Sequence, residues 1–276
     1  MSFLTDDDYV LAADRRPLSA LYARNAKSVI ERGFQVIRSQ NWIILVSGFF
    51  EPVFYLLSMG IGLGNLVGAV EGPGGAAISY AAYIAPALLA VSAMNGAIYD
   101  STWNIFFKMH FGKLYQSMLY TSLGPFDIAL GEIFMALFRG FLYALGFTGV
   151  MAVMGLITTP WALLLVPTSV MVAFGFASFG MAITSYMKTF QQMDIITFVM
   201  LPMFLFSATF YPLSVYPLPI QWIVQVFPLW HGVELMREIS IGTFSSATWV
   251  HLAYYVVMIM VGMLFTTRRL RALFLR

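Results

Sequence analysis

The 276-residue chain has no cysteine, so it holds no disulfide, no thiolate metal ligand and no cysteine nucleophile. Charge is scarce as well. Asp, Glu, Lys and Arg make up 10% of the sequence, where soluble domains have about 25%. So few charges cannot cover a soluble fold of this length. A formal net charge of +2 offers no basic surface for nucleic acid. The three histidines, His110, His231 and His251, are widely spaced. No G-x-x-x-x-G-K-[ST] occurs, so the chain does not bind ATP through a P-loop, and neither H-E-x-x-H nor G-x-S-x-G is present. Carboxylate pairs suited to glycoside chemistry are not evident, and intramembrane Asp/Glu/His chains of the kind proton-coupled carriers use are thin. An enzyme is not expected. If the chain serves a pump, the energy comes from another subunit.

What is present points to the bilayer. Apolar residues make up 60% of the chain and aromatics 16%, with 18 methionines and a mean hydropathy of +0.80. This composition predicts an all-α polytopic membrane protein. A helical span needs about 20 mostly apolar residues. Six segments qualify: 42–64, which contains Glu51; 79–99; 133–157, which contains Arg139; 161–187; a short 194–210 with Pro202; and 249–267. Residues 42–267 are thus read as one transmembrane domain. It is preceded by an N-terminal segment, 1–41, and followed by a basic tail, 268–276. No repeat of 20–50 residues is visible, which weighs against solenoids and obvious inverted-repeat carriers.

An even number of spans puts both termini on one side, and basic residues identify that side as cytoplasmic. Every Lys and Arg except Arg139 and Arg237 lies in the N-terminal segment, the 100–132 loop, the turn carrying Lys188 or the tail. The opening MSFLTDDDYV has three consecutive acids and no basic region before an apolar core, so no cleavable signal peptide is expected. The first span is then its own insertion signal.

Three regions outside the spans stand out. Residues 18–38 place Leu21, Tyr22, Val29, Ile30, Phe34 and Ile37 at three- and four-residue steps among Arg24, Lys27, Arg32 and Arg38. This spacing predicts an amphipathic helix in the headgroup layer, either a simple anchor or a mechanical element. Residues 100–132 are too long for a turn and carry Trp103, Phe106, Phe107, Lys108, Phe111 and Tyr115, with Gly124-Pro125 as a breaker. One or two short helices are expected there, offered to a cytoplasmic partner or packed against the protein's own helix ends. Residues 211–248 hold Pro212, Pro217, Pro219 and Pro228 and two apolar pieces too short to cross, 220–227 and 229–241. These predict re-entrant or interfacial outer helices. His231, Glu234, Arg237 and Glu238 cluster in the second piece, and His231, Glu234 and Glu238 share one helical face. Helix-end pairing explains that face better than a metal site, because no second His stands nearby.

Two charges fall inside spans. Glu51 lies about 13 Å and Arg139 about 10 Å from the cytoplasmic face at 1.5 Å per residue. Similar depth and opposite sign make them candidate partners or path residues. Alternatively, Arg139 snorkels and Glu51 is protonated. Pro52 predicts a bend beside Glu51. Ala173, Gly175, Ala177 and Gly180 on the fourth span would let another helix approach closely.

Together these features resemble the membrane subunit of type-2 ABC exporters. The stretch FLFSATFYPLSVYPLPIQWIVQVFPLWHGVELMRE (204–238) resembles that superfamily's most recognisable segment. It has a short fifth span, a Pro-containing turn, and then P-L-x-H-x-x-x-x-x-R, carried by Pro228, Leu229, His231 and Arg237. EPVFYLLSMGIGLG (51–64), ALLAVSAMNGAIYDSTW (87–103), MLYTSLGPFDIALGE (118–132) and FASFGMAITS (176–185) resemble the nodulation protein J group, permeases that export lipo-oligosaccharides with a partner ATPase.

The resemblance implies a complex of two permease chains, identical or related, with a cytoplasmic ABC ATPase under each. The permease has no cofactor of its own; ATP and Mg belong to the ATPase. Coupling would run through Arg24, Lys27, Trp103, Phe106, Phe107, Lys108 and Tyr115. The path or its gating would involve Glu51, Tyr55, Met59, Arg139, Phe198 and Phe204. The outer gate would involve Pro228, His231, Glu234 and Arg237. The expected function is export of a glycolipid or lipo-oligosaccharide-like amphiphile across a bacterial inner membrane, with multidrug or antibiotic efflux as the alternative. A membrane anchor or sensor without a path and an ion-driven carrier are the competing classes.

Overall fold

A computed structural model describes residues 25–39, 50–75 and 77–274. Arg24, the start of the amphipathic segment, residues 42–49 of the first expected span, and Arg276 of the tail lie outside the described residues. Helix α1 covers Ala26–Ser39. Among the described residues, five helices are long and apolar enough to cross a membrane: α2, Phe50–Val67; α3, Tyr80–Phe111; α5, Pro125–Val153; α6, Pro160–Thr184; and α10, over Ser246–Ala272. The fifth expected span is the shorter apolar helix α7, Phe190–Phe206. The described residues also form short helices α4 (Leu114–Leu119), α8 (Leu218–Val226) and α9 (Pro228–Ile241).

Two elements depart from the sequence reading. A small antiparallel hairpin, β1 (Ala69–Glu71) and β2 (Ala77–Ser79), joins α2 to α3, with Val70 opposite Ile78. The described residues are otherwise helical, as the all-α reading expects. Gly74 and Gly75 both have positive φ and make its turn. The 100–132 loop is also much shorter than expected. Helix α3 runs through Asp100 to Phe111 by way of π-helical stretches at Asp100–Asn104 and Phe107–Phe111. Helix α5 already begins at Pro125, because proline at a first helical position needs no amide donor. Asp127 accepts from the Gly124 amide at 2.9 Å and caps that start. The sequence reading ended the second span at the first charge, Asp100. The structure keeps that charge inside the bundle by pairing it.

Helix α6 stands at the centre, and the small residues of the fourth span explain why. A Cβ on Gly175 would lie 2.7 Å from the Tyr255 ring of α10, and one on Gly180 would collide with Ser101 of α3. Only glycine lets these helices come so close. Helix α1 docks on the first turns of α5: Val29 is buried against Gly131, and Phe34 meets Phe138 edge to face at 4.9 Å. Its apolar face is therefore covered in part by protein.

Candidate functional site: a membrane-level cavity between two polar junctions

A cavity of about 660 Å³ opens between α2, α3, α5 and α7. Helix α2 contributes Glu51, Pro52 and Tyr55, and α3 contributes Ser92, Asn95, Tyr99, Asp100 and Trp103. Arg139 and Tyr143 come from α5, and Thr197, Met200, Leu201 and Phe204 from α7. Tyr55 and Phe204 approach edge to face at 6.1 Å across it. Of the expected path residues, Glu51, Tyr55, Arg139 and Phe204 line this space. Met59 packs at the edge of the core instead, and Phe198 is exposed on the outer face of α7.

The Glu51–Arg139 pairing is corrected. Arg139 donates to Asp100 Oδ1 at 2.9 Å, and the Asp100 side chain is 7% exposed. Asp100 was passed over because it sits where the apolar run ends, and one-dimensional spacing does not place α3 beside α5. The π turn that begins at Asp100 marks the spot, as π segments often do at functional sites.

Towards the end of the bundle that carries α1, Glu132 forms the second junction. It accepts from Arg32 of α1 at 3.1 Å and from Lys108 of α3 at 2.5 Å, with its own side chain 5% exposed. Asn25 fastens the start of α1 to the turn before α5, donating from its side chain to the Ser122 carbonyl at 2.8 Å. Lys27 lies apart and pairs with Glu31 on the exposed face. Beyond Lys108 is an aromatic cluster. Trp103 meets Phe190 at 5.3 Å, and Phe107 meets Phe111 at 5.3 Å and Phe190 at 6.0 Å.

The candidate coupling residues divide here. Phe107 and Phe111 are exposed, whereas Phe106 and Tyr115 are buried inside the chain and present no surface. Burial raises the Tyr115 hydroxyl well above its usual range, aided by the Glu132 carboxylate. Phe190 was missed because it precedes the apolar run of α7.

The third junction lies at the opposite end. Arg237 is 1% exposed and donates to four acceptors: Glu234 Oε1 at 2.9 Å and the carbonyls of Tyr83, Ala208 and Thr209 at 3.2, 2.6 and 3.0 Å. Its guanidinium also lies 3.8 Å from the centre of the Tyr83 ring. Ala208 has φ of +56°, so Arg237 fastens a strained turn where α7 ends. Glu238 accepts from Ser245 and Thr248 and secures the entry into α10.

His231 does have a second histidine nearby, contrary to the sequence reading. Its Nδ1 lies 2.7 Å from Nδ1 of His251, twenty residues away on α10. Burial, with His251 beside it, lowers His231 to about 4, so the ring is neutral. One Nδ1 then donates to the other. Among the described residues no three His, Cys, Asp or Glu side chains gather closely enough to hold a metal ion. The Pro228 carbonyl accepts from the Tyr255 hydroxyl at 2.8 Å, tying α9 to α10.

The fold and these junctions define a multi-pass membrane protein. Residues 24–241 match the ABC-2 type transporter family, and the chain belongs to that family. It is similar to nodulation protein J of Rhizobium leguminosarum bv. viciae, with 31% identity over 91% of this chain and 96% of the relative. Nodulation protein J of R. leguminosarum bv. trifolii is 31% identical over 84% of this chain and 87% of its own length. That of Sinorhizobium fredii (strain NBRC 101917 / NGR234) is 30% identical over 82% and 85%. The chain is therefore a transport permease subunit of an ABC exporter and not an enzyme.

Proposed function

We propose that the chain moves an amphipathic compound, a glycolipid or lipo-oligosaccharide-like molecule, out of the cytoplasm or inner leaflet of a bacterial inner membrane. Two permease chains, identical or related, work with cytoplasmic ABC ATPases that bind ATP and Mg. The observation that carries this reading is the cavity itself. It combines polar groups at Asp100, Arg139, Ser92 and Asn95 with apolar walls from α3 and α7, which suits a ligand with a wet end and a greasy end.

The three junctions support a division of labour. Glu132 gathers α1, α3 and α5 at the end bearing Lys108, Lys113, Lys188 and Arg269, the basic end expected to face the cytoplasm. Exposed Phe107 and Phe111 there offer an ATPase an aromatic anchor. At the other end, α8 and α9 form the outer re-entrant gate, held by Arg237.

The test is purification of the tagged chain in mild detergent, followed by reconstitution with whatever copurifies. A stoichiometric P-loop ATPase and ATP-dependent movement of a fluorescent glycolipid are expected. Recovery of the chain without any ATPase sinks the reading in favour of an anchor or an ion-driven carrier. ATP-dependent movement of antibiotics with no movement of glycolipid redirects it to drug efflux.

A further inference from the structure

The basic end ties α3 to α7, a link that the pairs at Asp100 and Glu132 do not make. Trp103, Phe107 and Phe106 of α3 meet the Phe190 ring edge to face at 5.3, 6.0 and 6.5 Å. His110, one turn on, places its Nε2 3.0 Å from the Met187 carbonyl in the turn between α6 and α7. A carbonyl only accepts, so Nε2 carries the hydrogen and donates it.

The turn that receives these contacts is braced. Gln192 Oε1 accepts from the backbone amides of Lys188 and Thr189 at 2.7 and 3.3 Å and caps the start of α7. From α10, Arg269 donates to the Ser185 carbonyl at 3.3 Å, and its guanidinium lies 4.5 Å from the centre of the Tyr186 ring. Beyond Phe190, α7 carries Met200, Leu201 and Phe204 to the cavity, and α3 carries Asn95, Tyr99 and Asp100 to it. Phe190 and Met200 are about 15 Å apart along the helix at 1.5 Å per residue. Trp103 belongs to both places, since it lines the cavity and touches Phe190. Packed side chains between stiff helices are a physical means of carrying a displacement from one site to another.

We propose that Phe190 and His110 are positioning residues that make α7 follow α3, so that an ATPase acting on the end of α3 moves both walls of the cavity. The inference rests on the permease reading and adds the turn between α6 and α7 to its coupling machinery.

The test measures three quantities on the intact complex: ATPase co-purification, ATP turnover in proteoliposomes, and ATP-driven movement of a fluorescent glycolipid. Phe190 is 45% exposed, so its truncation spares the core. Phe190→Ala should keep co-purification and ATP turnover near wild type and lower the glycolipid moved per ATP about tenfold. Phe190→Tyr keeps the ring and should restore the wild-type ratio. His110→Ala should lower the ratio in the same direction, and His110→Gln, whose amide can donate to Met187, should recover part of it.

Unchanged movement per ATP in Phe190→Ala overturns the inference. Loss of co-purification overturns it too, by making Phe190 part of the ATPase contact itself. Equal falls in turnover and movement reduce the clasp to a brace of the fold and count against transmission. If Phe190→Ala does not assemble, His110→Ala, at an exposed ring, decides by the same criteria. A wild-type complex that hydrolyses ATP and moves neither glycolipid nor antibiotic sinks the permease reading and the clasp with it. Wild-type transport with an unaltered Phe190→Ala ratio sinks the clasp alone.

Discussion

Arg237 illustrates how one side chain can hold three elements. Its guanidinium joins the start of α3, the strained turn after α7 and its own helix α9. Burying a charge this deeply is tolerable only because each donor direction finds an acceptor. Arg237→Ala leaves the Ala208 and Thr209 carbonyls without that donor and should cost about 3 kcal/mol of stability. Lysine lacks the planar fork and should restore only part of it. Thermal unfolding in detergent checks this: a melting temperature unchanged by Arg237→Ala would remove the clamp. The sequence singled out Arg237 by its motif, but the expected partner was a helix-end carboxylate. Three of its four acceptors are backbone carbonyls distant in sequence, and no side-chain pattern advertises a carbonyl.

At the scale of elements, the extended α3 matters most. Because it continues past Asp100, it carries the Asp100–Arg139 pair, the Lys108–Glu132 pair and the exposed Phe107 and Phe111 on one helix. On the coupling proposed above, a push on its Phe107 end would reach the cavity wall. Phe107→Ala with Phe111→Ala should leave insertion and stability near wild type and lower ATPase co-purification about tenfold, as removal of interface aromatics commonly does. Undiminished co-purification takes this end of α3 out of the coupling surface. Phe106 is unsuited to the same test, since truncating a buried Phe costs about 3–5 kcal/mol and damages the fold itself. The aromatic run was legible in the sequence; which rings face inward was not, because π turns shift the helical register.

For the whole molecule, the proposed orientation rests on the basic end, and the absence of cysteine makes it directly measurable. Single cysteines at exposed Tyr120 and Val215 report the two ends. On intact cells a membrane-impermeant maleimide should label Val215→Cys at once and Tyr120→Cys only after permeabilisation. The reverse pattern inverts the assignment and places α8 and α9 on the cytoplasmic side.

The sequence by itself determined the solvent this protein lives in, its helical class, its approximate spans and its family. Each of these is written in composition, in runs of apolar residues or in a local motif, and the bilayer imposes such patterns along the chain. It also marked Glu51, Arg139, His231 and Arg237 as costly residues that needed a reason. Only the tertiary structure decided the partners. It gave Arg139 to Asp100, Glu132 to both Arg32 and Lys108, and His231 to His251. Those pairings depend on which helix faces which, and small residues such as Gly175 and Gly180 set that by close packing in three dimensions.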